Sequence, residues 1–244
     1  MPAKDHRATE QRTKELNHGW HGSHGWERVR RAVIECLALS AGGDIIPKGR
    51  NVSDLKEKMK FDASTEWRNF EAALIKELKE TPIAEFARAW TGLFDRTAFY
   101  RNVLLPRVAK SLGYVLAYEH LRCDFVILNT DRVPVIFIES ENNHLSASQE
   151  IDKLCAVSSP VRVLFLSCEW AEGQRERWLP GWQKTFATHH IYSEQKAVYM
   201  IVVGEWMPRN PGDDMKELYY IIESFDISGK EIDRKELVLD RSPL

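Results

Sequence analysis

The chain has 244 residues, 43% hydrophobic and 29% charged, with 34 Lys and Arg against 36 Asp and Glu for a net charge of −2. That is the composition of an ordinary globular protein, and it excludes a surface coated in positive charge for nucleic acid while leaving room for a local basic patch. No apolar run approaches the roughly 20 residues that span a bilayer. Residues 1–16, MPAKDHRATEQRTKEL, lack the apolar core of a secretory signal, and Cys36, Cys123, Cys155 and Cys168 form no CxxC pair. Reduced thiols, no structural zinc and a cytoplasmic location are expected.

The first part of the chain reads as helical. Residues 25–39 carry Val29, Ala32, Val33, Cys36 and Leu37 at helical spacing, closed by Gly42-Gly43. A short helix capped by Asn51 or Ser53 runs to Lys60. A longer one, 65–79, is capped by Ser64, with Trp67, Phe70, Leu74 and Leu78 along one stripe. Pro82 opens another, to about Phe94. A helix over 97–112 holds Pro106 near its middle, which predicts a kink or a split.

At Gly113 the pattern changes. Tyr114–Tyr118, Phe125–Leu128 and Val133–Ile138 are rich in Val, Ile, Tyr and Phe and read as strands. Ser146 or Ser148 caps a helix to about Val157. Val161–Ser167 reads as a buried strand and 173–189 as a helix interrupted by Pro180-Gly181. Two more strands follow, Ala197–Val203 and Leu218–Phe225, and then a charged, loosely organised tail from Ser228. The expected architecture is α/β (α+β), a mixed central sheet flanked by helices, with an N-terminal helical region over 1–95 and a core over 96–244.

The segment RCDFVILNTDRVPVIFIESENNHLSASQEIDKL, residues 122–154, carries the chemistry. Asp124 heads one apolar strand, and the next runs straight into Glu139-Ser140-Glu141. A strand repeats every two residues, so Glu139 and Glu141 share a face. Carboxylates aimed at one spot repel unless a cation lies between them, and oxygen ligands suit Mg²⁺. Asp131 is explained by its turn.

Asp124, the fourteen residues that separate it from Glu139-Ser140-Glu141, and the helix that follows resemble the PD-(D/E)XK nuclease superfamily over about residues 95–205. The resemblance implies a restriction-endonuclease-like core in which an Asp begins the second strand and an acid-X-Lys element ends the third. It implies Asp124, Glu139, the Ser140 carbonyl and Glu141 as metal ligands, for Mg²⁺ with Mn²⁺ as substitute. Glu141 stands where the family usually has lysine. Some type II restriction enzymes resemble this chain in having Glu there, and in other members a lysine from the next helix takes the role. Lys153 is that lysine here, three residues after Glu150 and able to share its helical face; Glu119 is a further acid on the first strand. The implied activity is Mg²⁺-dependent DNA endonuclease chemistry, as in restriction or defence against foreign DNA. Asp124, Glu139, Glu141 and Lys153 would be its catalytic set, in a homodimer with no nucleotide cofactor and no membrane. The alternative is a regulatory or partner-binding module on the same scaffold, without catalysis.

Other groups have plainer explanations. His18, His21 and His24 lie in a Gly- and Trp-rich stretch with no carboxylate or cysteine to complete a metal site. Arg28, Arg30, Arg31, Lys56, Lys58, Lys60, Arg101, Arg107 and Lys110 suit either a DNA backbone or a solvated helix face. Trp26, Trp67, Trp90 and Trp178 fall at core spacing. His144 follows the acidic pair closely and suits either a polar loop position or a contact to a phosphate or metal-bound water. No P-loop, GxGxxG or GxSxG motif is present.

Overall fold

The computed structural model describes residues 62–168, 174–189, 196–208 and 215–243. The expected helices at 25–39 and up to Lys60, the histidine stretch, Trp26 and Cys36 lie outside the described residues.

Helix α1, Ala63–Glu80, begins where Asp62 takes up the free N–H groups of the first turn. Its Oδ1 accepts from the Ser64 N–H at 3.1 Å and its Oδ2 from the Thr65 hydroxyl at 2.9 Å. The cap is thus Asp62, two residues ahead of the expected Ser64. Trp67, Phe70, Leu74 and Leu78 bury one stripe, each stabilising the fold by about 2 kcal/mol. Trp67 Nε1 also donates to Ser224 Oγ at 2.8 Å, which ties the helix to the sheet.

After α2, Ile83–Ala89, a continuous helical run is built from α3, Leu93–Phe99, a π turn, Tyr100–Leu104, and α4, Leu105–Ser111. Pro106 neither splits nor ends this run. The Leu105 N–H donates five residues back to the Tyr100 carbonyl, and the helix widens just before the residue that has no N–H to give.

Seven strands follow: β1 Val115–His120, β2 Cys123–Leu128, β3 Pro134–Glu141, β4 Val161–Ser167, β5 Val198–Pro208, β6 Met215–Phe225 and β7 Glu231–Pro243. They form one mixed sheet in chain order. β1–β2–β3 is an antiparallel meander, β3–β4–β5 are parallel, and β5–β6–β7 return to antiparallel. The parallel pairs are bridged by α5, Ala147–Ala156, and α6, Gln174–His189. Two crossovers advancing the same way lie on one face of the sheet. Ile151, Leu154, Trp182 and Phe186 accordingly pack on Phe137, Leu164, Leu166 and Tyr199. The other face is covered by α1–α4. Covered on both sides, β4 reads VRVLFLS with every residue buried.

Two expectations change. Residues Lys60–Leu244 form one compact unit, and Trp67, Phe70, Leu74 and Phe86 share a core with Phe165, Met200 and Tyr220. The helices of 63–95 therefore belong with the sheet, and a boundary at 95/96 divides a single core. The charged tail is also ordered: it forms β7, paired with β6 from Phe225↔Glu231 to Met215↔Pro243. Its charges suit an edge strand, where they discourage pairing with another chain. Lys235 reaches inward to Glu71, and Arg234 pairs with Glu223 at 3.1 Å.

Candidate functional site

The β2–β3 pairing runs through Phe125↔Ile138. One residue beyond it, Asp124 and Glu139 each accept from a backbone N–H of the facing strand. Asp124 Oδ2 accepts from the Ser140 N–H at 2.9 Å, and Glu139 Oε2 accepts from the Asp124 N–H at 3.4 Å. The meander thus brings the head of one strand against the end of the next, and both carboxylates lie on the α5 side of the sheet. There, α5 turns Glu150 and Lys153 toward them. Lys153 Nζ donates to Glu150 Oε2 at 2.5 Å and lies 3.9 Å from Glu139 Oε1.

Glu139 is fully buried, and its Oε1 has no hydrogen-bond partner; the lysine at 3.9 Å is beyond hydrogen-bond reach. Burial, followed by the charges of Asp124 and Glu150, pushes its carboxyl up to about 8, against the opposing pull of Lys153 and the Cys123 thiol. Burial and the same carboxyl push Cys123 up to about 12. The hydrogen bond to Glu150 holds Lys153 above its ordinary range, against a smaller desolvation effect. Two acids, a charged lysine on a carboxylate tether and an inert thiol therefore meet at one place.

Glu141 takes part in the turn that follows it. β3 ends at this residue, and its Oε1 accepts from the N–H groups of Asn142 and Asn143 at 2.7 and 2.9 Å. The strand period places it on the Glu139 face, but the turn that follows takes up its carboxylate. Glu141 Oε1 is thus engaged by its own turn, and Glu150 is a further acid whose charge acts on Glu139 beside that of Asp124. Ser140 contributes its N–H to Asp124. His144 lies tilted against Trp178 with ring centroids 5.5 Å apart, and Glu119 pairs with Arg101 at 3.6 Å. Asn129 Oδ1 organises the turn around Asp131, accepting from Asp131 and Val133 at 3.0 and 2.9 Å. Arg107 pairs with Glu85 at 3.4 Å.

Cys123 is the member that sequence reading missed. Strand alternation puts it on the face opposite Asp124, yet it packs with Val126 and Phe137 on the α5 side. The turn just before it carries left-handed backbone at Leu121 and Arg122, which swings the head of β2 around.

Among the described residues, no three His, Cys, Asp or Glu side chains form a metal-holding group. Mg²⁺ typically takes one or two carboxylates and completes its shell with water and substrate phosphate. Asp124 and Glu139 fit that donor set, and the orphaned Oε1 of Glu139 is the atom that a cation would satisfy. No helix among the described residues is long and apolar enough to cross a membrane. No protein-family model matches this chain, and no curated protein matches it in sequence.

Proposed function

We propose that this protein is a Mg²⁺-dependent endodeoxyribonuclease with a restriction-endonuclease-like core, of the PD-(D/E)XK kind, acting in restriction or another defence against foreign DNA. The observation that carries this reading is the meeting of Asp124, Glu139 and Lys153 at the head of the second strand, the end of the third and the helix that follows. A lysine absent from the third-strand motif weighs toward a non-catalytic module; Lys153, 3.9 Å from Glu139, restores that charge from α5.

Asp124 and Glu139 would hold the cation, with Mn²⁺ as a substitute. A divalent ion there lowers the pKa of water and offsets charge on the phosphate being cut. The chain's own groups do the rest. Lys153 neutralises phosphate charge or orients the attacking water. Glu150 positions Lys153 by the 2.5 Å hydrogen bond. Glu139 gives up its proton as positive charge arrives, because burial and neighbouring anions are what hold that proton in place. A duplex cut on both strands calls for two sites, hence a homodimer; no nucleotide cofactor is needed.

The test is incubation of plasmid and phage DNA with the full chain, with and without Mg²⁺, beside Asp124→Ala. Discrete fragments that need both Mg²⁺ and Asp124 are expected. DNA left intact by the parent chain, or cut equally by Asp124→Ala, would overturn the reading.

A further inference from the structure

Arg96, on α3, is a buried cation without a counter-ion among the described residues. It is 8% exposed, and its Nε and Nη1 are sealed from solvent with no hydrogen-bond partner. Asp95 beside it accepts from the Thr91 hydroxyl at 3.0 Å instead. A guanidinium does not shed its proton to escape burial. The partner it does have is the Trp90 ring, 4.8 Å away, and attraction to a ring offsets only part of the cost of an unpaired buried ion.

The neighbourhood holds more donors than acceptors. The Tyr100 N–H donates to the Arg96 carbonyl, so the two side chains stand one turn apart on one helical face. The Tyr100 hydroxyl lies 2.6 Å from Ser167 Oγ and 3.0 Å from the Tyr220 hydroxyl. Three hydroxyls carry three protons and share two contacts, so one proton has no acceptor among the described residues. Burial raises both phenols, and the nearby charge of Arg96 is among the smaller effects that oppose it. Gly204, the β5 partner of Ser167, leaves room for this gathering: a Cβ there would stand 3.0 Å from the Tyr220 ring and 3.2 Å from the Tyr100 hydroxyl. These groups lie at the carboxyl ends of the parallel strands β4 and β5, where open α/β sheets take their ligands. Tyr100 and Tyr220 belong to the core on the α1–α4 face, opposite the face of Asp124 and Glu139.

What the cluster lacks is an acceptor with negative charge and oxygens facing several ways. A tetrahedral oxyanion supplies that, and a guanidinium is the side chain best matched to phosphate. We propose that Arg96 anchors a second binding site, which takes one phosphate-type oxyanion and offers the spare hydroxyl proton of the Tyr100–Ser167–Tyr220 group as a further donor. Nη2 is not among the sealed nitrogens and gives the anion its first contact. The phosphate comes either as the free ion or on a nucleotide.

The test is thermal melting of the full chain at fixed ionic strength, with inorganic phosphate, a nucleoside monophosphate, acetate or chloride. The parent should melt about 3–6 °C higher at ten times the dissociation constant of phosphate or nucleotide, and acetate should match chloride. A larger rise with the nucleotide assigns the source to nucleotides; equal rises assign it to the free ion. Arg96→Met should lose the rise, and in chloride it should melt above the parent, because it removes an unpaired charge and keeps the length. Asp124→Ala should keep the rise, which separates this site from the nuclease reading. No rise in the parent with either phosphate, or an equal rise in Arg96→Met, would overturn the site. So would an Arg96→Met protein that melts below the parent in chloride or fails to fold, since the guanidinium would then already be answered within the fold.

Discussion

Lys153 Nζ lies 3.9 Å from Glu139 Oε1, with Glu150 holding the lysine from one side at 2.5 Å. A helix has supplied to the end of β3 the positive charge that the strand itself does not carry. Because the tether is three residues away on the same helix, the pair sits in α5 whether or not a substrate is present.

The first prediction follows from that pairing. Lys153→Ala should lower plasmid cleavage by about 100-fold or more, the usual loss when a charge aimed at a developing anion is removed. The fold should persist, because the Lys153 side chain is about half exposed. Lys153→Arg should recover part of the rate. Parental cleavage by Lys153→Ala, measured under single-turnover conditions, would remove the lysine from the mechanism.

Glu139 predicts a pH dependence of stability. Its carboxyl, held at about 8 in the fold by burial and by Asp124 and Glu150, returns to an ordinary value of 4.5 in the unfolded chain. The folded state therefore binds that proton more tightly. This contribution to stability is fully present below about 4.5 and is lost as pH rises through about 8. Glu139→Gln, which keeps a neutral side chain at every pH, should be more stable than the parent at pH 8.5, with the gap closing by pH 5. Urea titrations of both proteins at the two pH values measure this. A gap that widens toward acid would contradict the assignment.

The same proton competes with a cation. Below about 8, binding at Asp124 and Glu139 must displace it, so apparent Mg²⁺ affinity should fall by up to about tenfold per pH unit. Ten times the dissociation constant of free Mg²⁺ should stabilise the fold by about 1.4 kcal/mol, a rise of about 3–6 °C in melting temperature. Asp124→Asn should show no such rise. Differential scanning fluorimetry at pH 6 and pH 8.5 reads both effects without any cleavage assay.

How far the site could be read from the letters depended on what set each position. Val126 and Ile127 on β2 and Val135 and Ile136 on β3 are β-branched residues on strands buried on both faces, so the two strands are legible in the sequence, and with them Asp124 and Glu139 at their ends. Lys153 followed from helical spacing after Glu150. Cys123 was hidden because its placement depends on backbone strain at Leu121 and Arg122, which no alternation rule encodes. β7 was hidden because Asp233, Arg234 and Lys235 give an edge strand the composition of a loop. Pro106 pointed to a disturbed helix, but whether the helix breaks or widens depends on packing around Tyr100, whose hydroxyl lies 2.6 Å from Ser167 Oγ and 3.0 Å from the Tyr220 hydroxyl.

Glu141 separates motif spacing from geometry most directly. Spacing makes it a metal ligand; its Oε1 instead accepts from the N–H groups of Asn142 and Asn143. Glu141→Ala removes the acceptor of two donors that solvent can reach, and should cost about 0.5–1.5 kcal/mol of folding stability. The Mg²⁺-induced rise in melting temperature should stay at the parental value, because Glu141 Oε1 is engaged by its own turn. Glu141→Gln keeps an acceptor oxygen and should recover most of the stability. A Glu141→Ala protein with unchanged stability and no Mg²⁺ response would mean that this carboxylate turns inward when the ion binds, and the donor set would then be Asp124, Glu139 and Glu141.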